Sequence, residues 1–149
     1  MSPSKFNIRV YGILIQNQAL LVSDEFRMGM RMTKLPGGGL EFGEGIEEGL
    51  KREWMEELRA LIQVGPILYV NPFFQRSAFS KIEQVICLYY KVSCMSPLEV
   101  EIVEQPFDFM EEKEGAQVFR WIPLGSLTSD VFTFPIDKAM VTALKLHIA

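Results

Sequence analysis

Between Leu35 and Gly45 the chain carries five glycines, and a helical pattern begins on the next residue. Glycine permits backbone conformations and close approaches that a Cβ forbids, so a run this dense shapes main chain and packs few side chains. From Ile46 to about Leu61, steps of about 100° per residue put Ile46, Leu50, Trp54, Leu58 and Leu61 on one arc, which predicts a helix facing a core. The same steps gather Glu53, Glu56 and Glu57 at i, i+3 and i+4, with Glu57 inside the apolar arc. An uncompensated carboxylate there costs several kcal/mol unless it is protonated or paired. A divalent cation that prefers hard oxygen ligands relieves both that cost and the mutual repulsion. The plainer reading is a solvated acidic face that includes Glu47 and Glu48, paired with Lys51, Arg52 and Arg59. The glycine loop directly before the helix favours the cation.

Around this loop and helix the pattern is mostly strand. Phe6 to Ile15 and Ala19 to Val22 flank Gln16-Asn17-Gln18 and predict a β-hairpin; Asp24 to Thr33 has no clean period and reads as loop. Ile67–Phe74, Ile82–Val92, Val100–Gln105 and Val118–Ile122 read as strands, and Pro135 opens a closing helix. At 149 residues without repeat or linker, the expectation is one α+β domain spanning residues 1–149, a mixed sheet packed between helices.

Fifteen Lys and Arg against nineteen Asp and Glu leave a net charge of −4, which argues against a nucleic acid polymer as partner, since duplex binders carry a basic stripe. Small phosphorylated ligands remain open. No apolar stretch is long enough for a signal core or a membrane span, and Cys87 lies in the run Val85–Tyr90 as a buried small hydrophobe, so a cytoplasmic setting is expected. His147 is the only histidine, which leaves no Ser-His-Asp triad and no His/Cys metal site. The glycines form neither a G-x-G-x-x-G fingerprint nor a P-loop.

From Gly38 through Glu44, Arg52, Glu53, Trp54, Glu56 and Glu57, the chain resembles the Nudix hydrolase signature G-x5-E-x7-R-E-U-x-E-E-x-G-U. The departure is at the end, where Arg59 and Ala60 replace the final glycine and aliphatic residue. That glycine ordinarily ends the helix in a left-handed turn, so here either the helix runs on or Arg59 takes a positive φ. Leu35-Pro36-Gly37-Gly38 before the signature, and Arg120 to Leu124 with Leu127 late in the chain, extend the resemblance. It implies an α/β/α sandwich around a central mixed sheet. It also implies an Mg²⁺-dependent pyrophosphohydrolase, with Mn²⁺ as the other candidate, cleaving a nucleoside diphosphate linked to another moiety. The match assigns Glu53, Glu56 and Glu57 as metal ligands, with one of them a candidate for the base, joined by a backbone carbonyl at Gly37 or Gly38. Arg52 would orient the carboxylates and Glu44 would support the loop-helix junction.

Other positions are less determined. Family members often add a downstream carboxylate, for which Glu114 or Glu112 in Met110–Gly115 is the candidate. Arg27, Arg31 and Lys34 are candidates to grip phosphates, and Phe73 or Phe74 to stack a base, one of the pair being core if both lie on a strand. Met28, Met30 and Met32 alternate as the lining of a pocket or of a homodimer contact. No subfamily signature follows the box, which by elimination leaves a nucleoside triphosphate or small nucleotide derivative. The competing class is a Nudix-fold module that binds nucleotide without cleaving it, although such modules tend to lose the carboxylates that this chain keeps. An mRNA-end-processing hydrolase would require a basic groove.

Overall fold

The computed structural model describes residues 2–148. Its organising strand is β1 (Lys5–Ile13), whose Val, Ile and Tyr residues suit a strand buried on both faces. With β5 (Gly37–Gly39), α1 (Ile46–Leu58), β6 (Ile62–Val70) and β7 (Glu83–Cys94) following in the chain, β1 runs parallel to β7 and antiparallel to β5, and β6 closes the order β5-β1-β7-β6. Alternation along β1 then sorts the core. Tyr11 and Ile13 pack with Cys87, Tyr89 and the apolar face of α2 (Pro135–Ile148), while Val10 and Leu14 pack with Leu50, Trp54 and Leu58 of α1. A helix on each face of a mixed sheet is the α/β/α arrangement expected.

A second sheet is antiparallel, with β3 (Ala19–Arg27) as its spine; β2 (Ile15–Gln16), β4 (Met30–Lys34) and β8 (Gln117–Pro123) pair with it. The predicted hairpin is therefore only partly right. Its turn is at Asn17-Gln18, both with positive φ, but only β2 folds back on β3, whereas β1 is claimed on both edges by the other sheet. The predicted loop from Asp24 to Thr33 is instead a hairpin with a two-residue turn at Met28-Gly29. Hydrophobic periodicity missed it because Ser23, Asp24, Glu25, Thr33 and Lys34 are polar yet buried.

Other boundaries move for local reasons. Helix α1 stops at Leu58, and Arg59 takes the left-handed conformation, φ 50° and ψ 34°, its N–H bonded back to the Met55 carbonyl. Leu61 thus leaves the core arc and is exposed. β6 ends at Val70 before Asn71-Pro72, so Phe73 and Phe74 lie beyond the strand and both are exposed, neither one core. Val100–Gln105 makes only an isolated bridge, Ile102 to Phe119. The three methionines do not share a face: Met32 is buried, while Met28 sits exposed in the turn. Cys87 and Cys94 are both free thiols.

Candidate active site

The β5–α1 junction brings the glycines against the carboxylates. A Cβ added at Gly38 would lie 2.6 Å from Cδ and both carboxylate oxygens of Glu53, so any side chain there would displace Glu53. Gly37 N–H donates to Glu57 Oε2 at 2.9 Å, and Gln117 Nε2 on β8 donates to Glu57 Oε1 at 2.8 Å. Burial, partly offset by the Gln117 bond and reinforced by nearby Glu25, pushes the Glu57 carboxyl up to about 7. The wheel argument that set Glu57 facing inward is thus met by two donors. They occupy two of its roughly four acceptor positions and leave the others for a ligand.

Arg52 is the hub of the acidic side. Its Nε and Nη2 hold Glu44 at 2.9 and 2.7 Å, its Nη1 reaches Glu53 at 3.1 Å and Glu56 at 3.2 Å, and Nη2 also donates to the Gly39 carbonyl at 3.0 Å. Glu44 in turn accepts from the Glu41 N–H at 2.8 Å. Its bonds to Arg52, and then that backbone bond, hold the Glu44 carboxyl down to about 2. Arg52 thus joins Glu44 to Glu53 and Glu56, and Glu44 joins the loop at Glu41 to α1.

Do these residues fit a divalent cation? Among the described residues no three acidic, thiol or imidazole side chains converge as a ready cage, because Arg52 draws Glu53 and Glu56 to itself. The donor chemistry nevertheless fits. Glu53 and Glu57 flank the Gly37-Gly38 backbone, and all the available donors are hard oxygens.

Gln117 was missed by the sequence reading, as was Glu25. Gln117 Nε2 also donates to Ser23 Oγ at 2.9 Å, and Ser23 Oγ donates to Glu25 Oε2 at 2.9 Å. Glu25 faces Lys34 Nζ at 3.5 Å, so a polar chain runs from Glu57 to Lys34 through the second sheet. Below it, buried Asp24 accepts from Thr33 Oγ1 at 2.6 Å and from Arg120 Nε at 2.6 Å, tying β3, β4 and β8 together.

Beside the box, a cleft of about 280 Å³ runs between β1, β7 and the start of α2. Lys34 and Arg27 line it, Lys34 over the Tyr11 ring and Arg27 over the Phe79 ring. Phe74 does not line it; Phe79 does. At its floor the Tyr89 hydroxyl bonds Asp137, whose carboxyl burial pushes up to about 6 against the pull of that bond and of Lys34 and Arg9. Glu114 accepts from the Met28 N–H at 2.7 Å and Glu112 pairs with Arg31; neither bonds the box carboxylates.

A fold with a mixed sheet between two helices and a glycine loop feeding a carboxylate helix defines a class of phosphoric anhydride hydrolases. The model of the NUDIX domain matches residues 5–144, and the chain belongs to that family. No curated protein matches it in sequence. Among solved structures it is similar to a MutT protein from Methanosarcina mazei Go1, with 14% identity, TM-score 0.73, and 97% of this chain and 96% of that one covered. The ORF135 protein of E. coli gives 16% identity and TM-score 0.71, covering 97% and 92%. An ADP-ribose pyrophosphatase from Streptococcus suis gives 12% identity and TM-score 0.58, covering 94% and 87%. At these identities the likeness is one of fold.

Proposed function

We propose that the protein is an Mg²⁺-dependent pyrophosphohydrolase, with Mn²⁺ able to substitute, acting on a nucleoside triphosphate or a small nucleotide derivative. The observation that carries this is Glu57: a half-buried carboxylate aimed at the glycine loop, with both oxygens held and acceptor capacity left over. Glu53, Glu56 and Glu57, with a carbonyl of Gly37 or Gly38, would hold the cation. When bound, it supplies charge neutralisation at the phosphates and activation of water.

The protein's own residues do the rest. Arg52 keeps Glu53 and Glu56 on the loop side of α1, so that they are placed before substrate arrives. Gln117 and the Gly37 N–H fix the Glu57 carboxylate plane. Lys34, at the box end of the cleft, offers charge to phosphate oxygens. Glu114 serves the Met28 turn, and a role for it as base would need that bond to break. No described helix is long and apolar enough to cross a membrane, and the two free thiols suit the reducing cytoplasm.

The test is phosphate release across nucleoside triphosphates, dinucleoside polyphosphates and nucleotide sugars, with Mg²⁺, with Mn²⁺ and with chelator. Metal-dependent turnover of one class is the expected result. Silence across the panel while nucleotides still raise the melting temperature would establish a binding module instead.

A further inference from the structure

The cleft is more basic than the chain that builds it. Arg9, Arg27, Lys34 and Arg76 line it against only Glu83 and Asp137, on a molecule of net charge −4. Lys34 has a carboxylate partner in Glu25; among the described residues Arg9, Arg27 and Arg76 have none within ion-pair distance. Arg9 instead donates to the Tyr11 hydroxyl at 2.6 Å, Arg27 lies over the Phe79 ring, and Arg76 bonds the Lys81 carbonyl. Like charges concentrated without counter-charge are unfavourable unless a ligand supplies the missing anion.

Strand register separates these four cations into two pairs. Arg9 is opposite Cys87 and one Cβ contact from Gly39, so it belongs to the box end, as does Lys34 opposite Ser23. Arg27 is four residues beyond Ser23 on β3, about 14 Å at a rise of about 3.4 Å per residue. Arg76 bridges to Gln84, three residues before Cys87 on β7, about 10 Å away. The inner pair is placed to meet a diphosphate at the box. Arg27 lies over the Phe79 ring, which Phe134 also meets edge-on at 6.0 Å, and Arg76 lines the same cleft three residues before Phe79.

We propose that the outer end of the cleft, formed by Arg27, Arg76 and Phe79, binds a phosphomonoester on the organic half of the substrate, remote from the diphosphate that is cleaved. Two guanidinium forks suit the several oxygens of a dianionic phosphate, and the aromatic pair offers a surface for the ring or sugar that bears it. This rests on the hydrolase reading above for its orientation, with the diphosphate at the box.

Matched ligands test it: NADPH against NADH, and coenzyme A against dephospho-coenzyme A, each pair sharing a diphosphate and differing by one phosphomonoester. With Mg²⁺ and the full chain, the phosphorylated member should show about tenfold higher kcat/KM, the worth of one or two charge-assisted hydrogen bonds. Arg76→Gln and Arg27→Gln should each bring that ratio towards one. Arg27 is exposed and Arg76 partly so, and neither supports the core. A second readout, ligand-induced thermal shift in chelator, reports binding without turnover and should show the same ranking. Equal kcat/KM within both pairs, or a preference untouched by both variants, would overturn the proposal even with brisk hydrolysis. If no pair is hydrolysed, the hydrolase reading is left to the wider panel above and the thermal shifts decide the outer site. A ranking lost in Arg76→Gln then keeps the outer site, and equal shifts or none remove it.

Discussion

Two neighbouring regions of this molecule carry opposite imbalances of charge. At the β5–α1 junction one guanidinium, Arg52, stands within 4.0 Å of four carboxylates: Glu41, Glu44, Glu53 and Glu56. In the adjacent cleft, Arg9, Arg27 and Arg76 have no carboxylate paired to them among the described residues. Neither region is neutralised from within, and the two excesses are complementary to the two parts of one bound complex: cation against the acidic side, phosphate against the basic side. Local charge imbalance is informative when its members are fixed in regular structure, as Arg52 is on α1, Arg9 on β1 and Arg27 on β3.

The largest expected effect breaks the acidic side. Glu57→Gln should lower metal-dependent turnover on the order of 10²-fold or more, since several kcal/mol of charge stabilisation depends on such a ligand set. The same variant should melt at a higher temperature than wild type at neutral pH in chelator, because it removes a half-buried charge from beside Glu25 and Glu53. Full activity in that variant would remove Glu57 from the site. Arg52→Gln comes next, with an expected loss of about 10- to 100-fold in turnover as Glu53 and Glu56 lose their shared partner. Its stability should rise with added salt more steeply than that of wild type. Gln117→Ala should sit at the lower end of the same range and show itself as a higher metal concentration for half-maximal activity.

The pH dependence sharpens the contrast. Glu44 has a carboxyl depressed from 4.5 to about 2, so its contribution is present above 4.5 and lost as pH falls towards 2. Glu57 and Asp137 have carboxyls raised to about 7 and about 6, so their contribution is present at acid pH and lost as pH rises through those values. In chelator, stability should peak near pH 4 and fall towards neutrality, and Mg²⁺ should restore more of it at pH 7.5 than at pH 5. A flat profile would show that neither buried carboxyl is strained. The smallest effect lies at the helix end: Arg59→Gly should stabilise by about 1 kcal/mol, since Arg59 holds φ 50° without need of its side chain.

What was legible in the sequence was local. The glycine loop, the three carboxylates and the inward turn of Glu57 all lie within about six helical turns of chain, where spacing alone decides who faces whom. The departure at Arg59 was legible too, as a choice between two helix endings that the left-handed residue resolves. What escaped were partners distant along the chain. Gln117 and Glu25, or Arg120 and Asp24, meet only because β3 and β8 are neighbours, and a buried strand made of Ser23, Asp24 and Glu25 carries no apolar alternation to announce itself. The cleft aromatic was misplaced on Phe74 for the same reason. The chain turns out of β6 after Val70, where Asn71 bonds the Phe73 and Val85 carbonyls, and the phenylalanine that lines the cleft is Phe79 further on.

One covalent detail links the two sheets. β1 and β2 are separated by a single buried residue, Leu14, so one extended stretch of chain leaves the mixed sheet and enters the antiparallel one without a loop between. Slack is what allows parts of a protein to open independently, and there is none at this crossing. Amide protons on either side of Leu14 should therefore exchange with solvent in a single cooperative event, so that the acidic wall and the basic wall of the site are lost together or not at all.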